Sequence, residues 1–104
     1  MYSTVETYVE SGSQASAIAR RVMLNVPNAP CAHIEEVRSV FRWDGQVKDI
    51  PEWRVSFDVP DDLVESVVAI IEKEHPYDLP GTTIRHFEPA TKGIAEWLDD
   101  PERF

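Results

Sequence analysis

Two runs of alternating residues meet at Asp44-Gly45, and no other feature of this chain restricts its fold as much. On the incoming run Val37, Ser39, Phe41 and Trp43 share one face, with Glu36, Arg38, Val40 and Arg42 opposite. On the outgoing run Trp53, Val55, Phe57 and Val59 alternate with Arg54, Ser56 and Asp58. A side-chain period of two belongs to extended strands, and Asp-Gly between two such runs favours a tight hairpin turn. The middle of the chain is therefore a long hairpin. Ile34 is out of phase with Val37, which predicts a bulge near Glu35-Glu36. Pro51 has no N–H for a ladder and is expected at an edge, a bulge or an irregular start of the second arm. Trp43 and Trp53 are expected on one side of the hairpin, covering the inner sheet face or completing a neighbouring subunit. Long arms with free edges invite pairing between chains.

The flanking segments switch between periods of 2 and 3.6, as in a mixed α and β domain. Ser3 to Val9 reads as a strand with Val5, Thr7 and Val9 on one face. Ser11 and Gln14 fit a capping box, and Ala15, Ile18, Ala19 and Val22 make the stripe of a helix that Pro27 stops near Val26. Pro60-Asp61-Asp62 opens a second helix, with Val64, Val67, Val68 and Ile71 as its buried stripe and His75-Pro76 as its stop. Pro80 to Glu88 fits a fourth strand. Lys92 to Asp99 fits a short closing helix with Ile94, Trp97 and Leu98 on one side. The order is βαββαβ plus a small helix. Right-handed crossovers then give an α+β, ferredoxin-like sandwich, one antiparallel sheet with both helices on one face. The 104 residues suit a single domain spanning 1–104.

Charge and composition narrow the function. A net charge of −9 with no local cluster of Lys and Arg opposes a phosphate backbone, so nucleic acid is not an expected partner. It is compatible with attracting metal cations, though also with plain solubility. Cys31 is the only cysteine, which excludes an intramolecular disulfide. The chain shows no charged-then-apolar leader and no apolar run of about eighteen residues, so no membrane partner is expected and the expected location is the cytoplasm.

Few residues carry chemistry. Cys31 and His33 are two apart at the start of a strand, so a thiolate and an imidazole could share one cation, with a further donor from elsewhere. The alternative is a small buried Cys beside a surface His. His75 falls in the last turn of the second helix, where a cation meets the negative end of the dipole. His86 lies mid-strand and reads as a half-exposed sheet residue. No Gly-x-Ser-x-Gly elbow is present, the four glycines at 12, 45, 81 and 93 stand alone, and Asp61-Asp62 and Asp99-Asp100 read as helix-end charges. No catalytic residue is assigned and no enzyme is expected.

The stretch Ser39-Val-Phe41-Arg-Trp43-Asp-Gly45, followed by His75-Pro76-Tyr77-Asp-Leu-Pro80, resembles the CutA-type divalent-cation-tolerance proteins. Cys31 matches the cysteine that precedes the hairpin in that family, and Ile94, Trp97 and Leu98 echo its terminal segment. The resemblance covers roughly Tyr2 to Leu98 and marks the chain as a divergent member. It implies a ferredoxin-like fold and a homotrimer whose hairpins extend each sheet into the next subunit. It further implies a role in tolerance of divalent metals, with copper bound through the cysteine. Phe41 replaces the family's Tyr, Gln46 its Lys after the glycine, Asp58 a Lys of the third strand, and Gly81 a Glu. The expected metal residues are Cys31, His33 and His75, and the expected ion is Cu(I) or another soft or divalent metal. The alternative is a trimeric regulator resembling the PII signalling proteins, binding a small metabolite at the subunit cleft.

Overall fold

In the computed structural model, which describes residues Met1–Phe104, strand β1 (Tyr2–Val9) leads into helix α1 (Gly12–Asn25) and the hairpin of β2 (Cys31–Trp43) and β3 (Gln46–Pro60). A 3₁₀ turn at Asp61–Leu63 opens helix α2 (Val64–Glu74), then β4 (Thr83–Phe87) and helix α3 (Lys92–Asp99) close the chain before a last 3₁₀ turn at Pro101–Arg103. The four strands form one antiparallel sheet in the order β2-β3-β1-β4. No helix is long and apolar enough to cross a membrane.

Local chemistry explains these boundaries. Ser11 caps α1, its hydroxyl accepting from the Gln14 N–H at 3.2 Å, while the Gln14 side chain reaches back to the Glu10 N–H rather than to Ser11. The capping box thus closes one residue earlier than the sequence pattern implies. Thr91 caps α3 in the same way. Asp61 does more than meet a helix dipole: it accepts from the Ser3 hydroxyl at 2.6 Å and pairs with the terminal amine of Met1 at 2.9 Å. Those contacts hold its carboxyl below the usual range, the Ser3 hydrogen bond most of all.

Helices α1 and α2 share one sheet face. Val5 and Val9 of β1 and Val55, Phe57 and Val59 of β3 meet Ala15, Ile18, Ala19 and Val22 of α1 and Val67 and Ile71 of α2. Val64 and Val68 pack at the margin of this core. In α3 only Leu98 is fully buried, and Ile94 is about half exposed. The fourth strand is shorter than its sequence pattern, because residues 75–82 remain outside the sheet.

The hairpin departs from expectation in two respects. Asp44 and Gly45 both have positive φ, 51° and 72°, which defines the right-twisted two-residue turn. From it the register runs unbroken, Trp43 opposite Gln46 through to Cys31 opposite Asp58. The expected bulge at Glu35-Glu36 does not occur. Ile34 is out of phase with Val37 because it packs on the helix side opposite Val55, whereas Val37 points to the other face. Trp43 and Trp53 accordingly lie on opposite faces. Trp53 packs on the core over Gly12, where an added Cβ would meet the indole at 3.3 Å. Trp43 is 51% exposed and contributes nothing to the core of one chain.

Beyond the Trp53–Val9 pair, seven residues of each arm pair only with each other, which carries the hairpin roughly 23 Å past the core. Pro51 sits in this projecting part, where β3 has lost its β1 neighbour and is an edge strand. The radius of gyration of 14.5 Å, against about 13 Å for a compact chain of this length, reflects the projection.

Phe57, with no exposed surface, is the largest fully buried side chain. Phe57→Ala should cost about 3–5 kcal/mol through lost transfer energy and the cavity left behind. Denaturant midpoints at unchanged slope would measure this, and coincident midpoints would contradict the core described.

Candidate functional site

The sheet face away from α1 and α2 carries the even-numbered residues of β1 and β3 and the odd-numbered residues of β2, as the continuous register requires. At the end of the hairpin nearest the core, Cys31 stands opposite Asp58, and His33 lies one step along the same face. The ligand atoms of Cys31, His33 and Asp58 all lie within 4.8 Å of one another. Donors bound to one ion at metal–sulfur and metal–nitrogen lengths of about 2.3 and 2.0–2.1 Å are roughly 3.5 Å apart. Small side-chain rotations would therefore close these three on a cation. His33 is exposed and Cys31 half-buried, which leaves an entry path.

Burial raises the Cys31 thiol above its ordinary range, and the charge of Asp58 raises it further. The sulfur is a protonated thiol near neutral pH, poor as a nucleophile and in need of an ion to displace its proton. Asp58 is itself fixed: the Thr4 hydroxyl donates to its Oδ1 at 2.7 Å. This carboxylate is the donor that sequence reasoning missed as a ligand. Counting outward from the Asp44-Gly45 turn would have found it, since a two-residue turn without a bulge sets Cys31 against Asp58.

His75 does not join them. It forms the C-terminal cap of α2 and bonds to Tyr8, which pairs with Arg54, four residue levels along β3 from Asp58, or about 13 Å. Its Nδ1 accepts from the Tyr77 backbone N–H at 3.1 Å, so its Nε2–H donates to the Tyr8 carbonyl at 2.9 Å. Both nitrogens are used and neither offers a lone pair to a metal. Burial lowers the pKa of His75, so the ring is neutral rather than the dipole-capping cation that its position implied. The third histidine, His86, is exposed, with Nδ1 2.9 Å from the Ser3 hydroxyl.

A second feature lies at the far end of the same face. The projecting hairpin and the 75–82 segment border a cleft of about 810 Å³ that Tyr8, Phe41, Trp43, Glu52 and Tyr77 help to line. Tyr77 donates its hydroxyl to Glu52 Oε2 at 2.8 Å, and burial with that bond raises the phenol pKa far above its ordinary value. Between the two features, Arg54 donates to Glu35 at 2.8 Å and lies 6.0 Å from the Tyr8 ring centre.

A four-stranded antiparallel sheet in this order, with two crossover helices on one face, defines a ferredoxin-like α+β protein, here with a thiol, an imidazole and a carboxylate converging on the open face. The model of the CutA1 divalent ion tolerance protein family matches residues 3–101, and the chain belongs to that family. Among curated proteins, none matches the sequence significantly. The solved structures it resembles include a periplasmic divalent cation tolerance protein CutA from Archaeoglobus fulgidus, at 23% identity and a TM-score of 0.87, covering 96% of this chain and 97% of that one. The divalent ion tolerance protein CutA1 of Ehrlichia chaffeensis is 24% identical, with a TM-score of 0.85 over 95% of this chain and 92% of its own. CutA of Synechococcus elongatus is 21% identical, with a TM-score of 0.87 over 94% and 87%.

The state of His75 yields a pH prediction. Its folded pKa is depressed, so its neutral form stabilises the fold fully above the unfolded value of about 6.5. That stability is lost as pH falls from about 6.5 through the lower folded value, because the unfolded chain takes up the proton first. Denaturant midpoints should fall over this window in the parent and fall less in His75→Gln. Parallel profiles would show that His75 is not held neutral.

Proposed function

We propose that this protein is a homotrimeric, non-enzymatic metal-binding member of the ion tolerance family, that it works in the cytoplasm, and that it holds copper as Cu(I) or another thiophilic or divalent ion. The observation that carries this reading is the convergence of Cys31, His33 and Asp58. A thiol with an imidazole favours soft and borderline ions, and the carboxylate widens the range to divalent ones. Cys31, a free thiol, is the reason for preferring a reducing compartment.

Two observations favour assembly. The projecting hairpin exposes Phe41 and Trp43 on its open face and Val40 and Val47 on the other, beside free strand edges. On the open face Glu6 is 8% exposed, and its Oε2 accepts no hydrogen bond, with Arg85 at 3.6 Å. Arg85 meets the charge of this oxygen but is too far for a hydrogen bond, which a donor from a neighbouring subunit would supply. Arms that cross onto neighbouring sheets would bury roughly 2,000 Å² or more, the range of obligate interfaces. Light scattering should give three chains at micromolar concentration, and a stable monomer would refute the trimer.

For the metal, reduced protein titrated with Cu(I) against a competing chelator should bind at least about tenfold more tightly than Cys31→Ser. Affinity should rise with pH, by about tenfold per unit while one thiol proton is displaced. Equal affinity in the two proteins would remove Cys31 from the site. A second reading is favoured by the cleft near Tyr77, whose size suits a small molecule: a trimeric regulator of PII type that binds a metabolite there.

A further inference from the structure

The cleft between the hairpin and the 75–82 segment has an unbalanced chemistry. Four of its walls are the rings of Tyr8, Phe41, Trp43 and Tyr77. Three carboxylates, Glu10, Glu52 and Asp78, also line it, and no Lys, Arg or His does. Glu52 is 6% exposed, yet its recorded partner is a neutral phenol, the Tyr77 hydroxyl at 2.8 Å. Carboxylates so nearly removed from water are normally paired with a cation. The nearest histidine, His75, has both nitrogens occupied and supplies no charge. In a single chain Phe41 is 37% and Trp43 51% exposed, and in the proposed trimer the mouth they line lies at the subunit boundary.

We propose that this cleft binds a small organic cation, an ammonium carried on an apolar body, with Glu52 as its counter-ion and the aromatic rings as its walls. The negative π-faces of Trp, Tyr and Phe attract a cation within about 6 Å, and exclusion of water strengthens both that attraction and the ion pair. Three carboxylates repel phosphorylated and carboxylated metabolites, which sets this cleft apart from a nucleotide site. At about 810 Å³ the space exceeds a bare ammonium and suits a drug-sized body. The inference rests on the small-molecule reading of the cleft, names its ligand class, and is independent of the metal at Cys31. A Lys or Arg side chain from a neighbouring subunit has the same chemistry and is the competing occupant.

The test is to titrate the assembled protein with choline, with its uncharged carbon isostere and with succinate, following tryptophan fluorescence and the amide shifts of Thr82 and Thr83. Choline should saturate, and the isostere should bind at least about tenfold more weakly. Glu52→Gln keeps an acceptor for Tyr77 and should weaken choline by about tenfold, whereas the same charge change at exposed Glu65→Gln should not. If Glu52→Gln does not assemble, Glu10→Gln decides: it removes a lining carboxylate at an exposed position outside the hairpin, and should weaken choline but not the isostere. Equal binding of choline and isostere, or preference for succinate, would overturn the cation and leave a small-molecule cleft standing. Binding of none of the three, or a structure of the assembly with a neighbour's Lys or Arg on Glu52, would overturn both.

Discussion

Everything on the open face depends on the register that the Asp44-Gly45 turn imposes on the hairpin. Positive φ at both residues gives a twist that matches the strands, and the pairing then continues without a slip as far as Cys31 and Asp58. A one-residue shift would invert every side chain of one arm. Ala32 and Ile34 would leave the helix side, and Cys31, His33 and Phe41 would turn toward it. The proposed metal donors and one aromatic wall of the cleft therefore share a single cause, although they lie at opposite ends of the strand. The core supplies the second anchor, since Val55 and Phe57 lock β3 under α1 and α2 on the helix side.

The same geometry divides the sheet into two environments. On the helix side, β1 and the inner half of β3 are closely buried and mainly apolar, with Ser3 and Thr7 as the buried polar residues. The other side alternates acceptors and donors: Thr4 to Asp58, Arg54 to Glu35, Tyr77 to Glu52. These contacts satisfy most of the buried polar atoms but not Glu6 Oε2, nor do they neutralise Glu52. A surface that buries charge without fully pairing it is costly in an isolated chain. It is less costly where a neighbour, an ion or a cationic ligand completes the pairing, and this connects the proposed assembly with both proposed ligands.

Elements with strong periodicity were legible in the sequence. The stripe of Ala15, Ile18, Ala19 and Val22 and the βαββαβ order follow from spacing, because those residues face one common core, while of the α3 pattern only Leu98 is fully buried. What misled was assuming that the core face continues along the whole hairpin. Ile34 obeys the core and Val37 the open face, and reading both as core-facing produced a bulge that is absent. For the same reason Trp43 and Trp53 were placed together. The pairing of Cys31 with Asp58 was within reach of counting, whereas the fate of His75 was not. Its two hydrogen bonds engage Tyr8, 67 residues away in sequence, and Tyr77, two residues on. Long-range burial of that kind leaves no local trace.

Asp58 alters what Cys31 can do. The resemblance described above implies Lys at this point of the third strand, and a cation beside a thiol would favour the thiolate. Here burial does most to hold the proton on sulfur, and the charge of Asp58 acts in the same direction. Asp58 also adds a third donor within reach of Cys31 and His33. Without an ion the thiol is thus protected from adventitious oxidation and alkylation, both of which require the thiolate. A divalent ion at this point would reverse the local electrostatics, since its charge outweighs that of one carboxylate and favours loss of the thiol proton. In the proposed site the same carboxylate therefore opposes the free thiolate and supplies a donor to the ion that would displace the thiol proton.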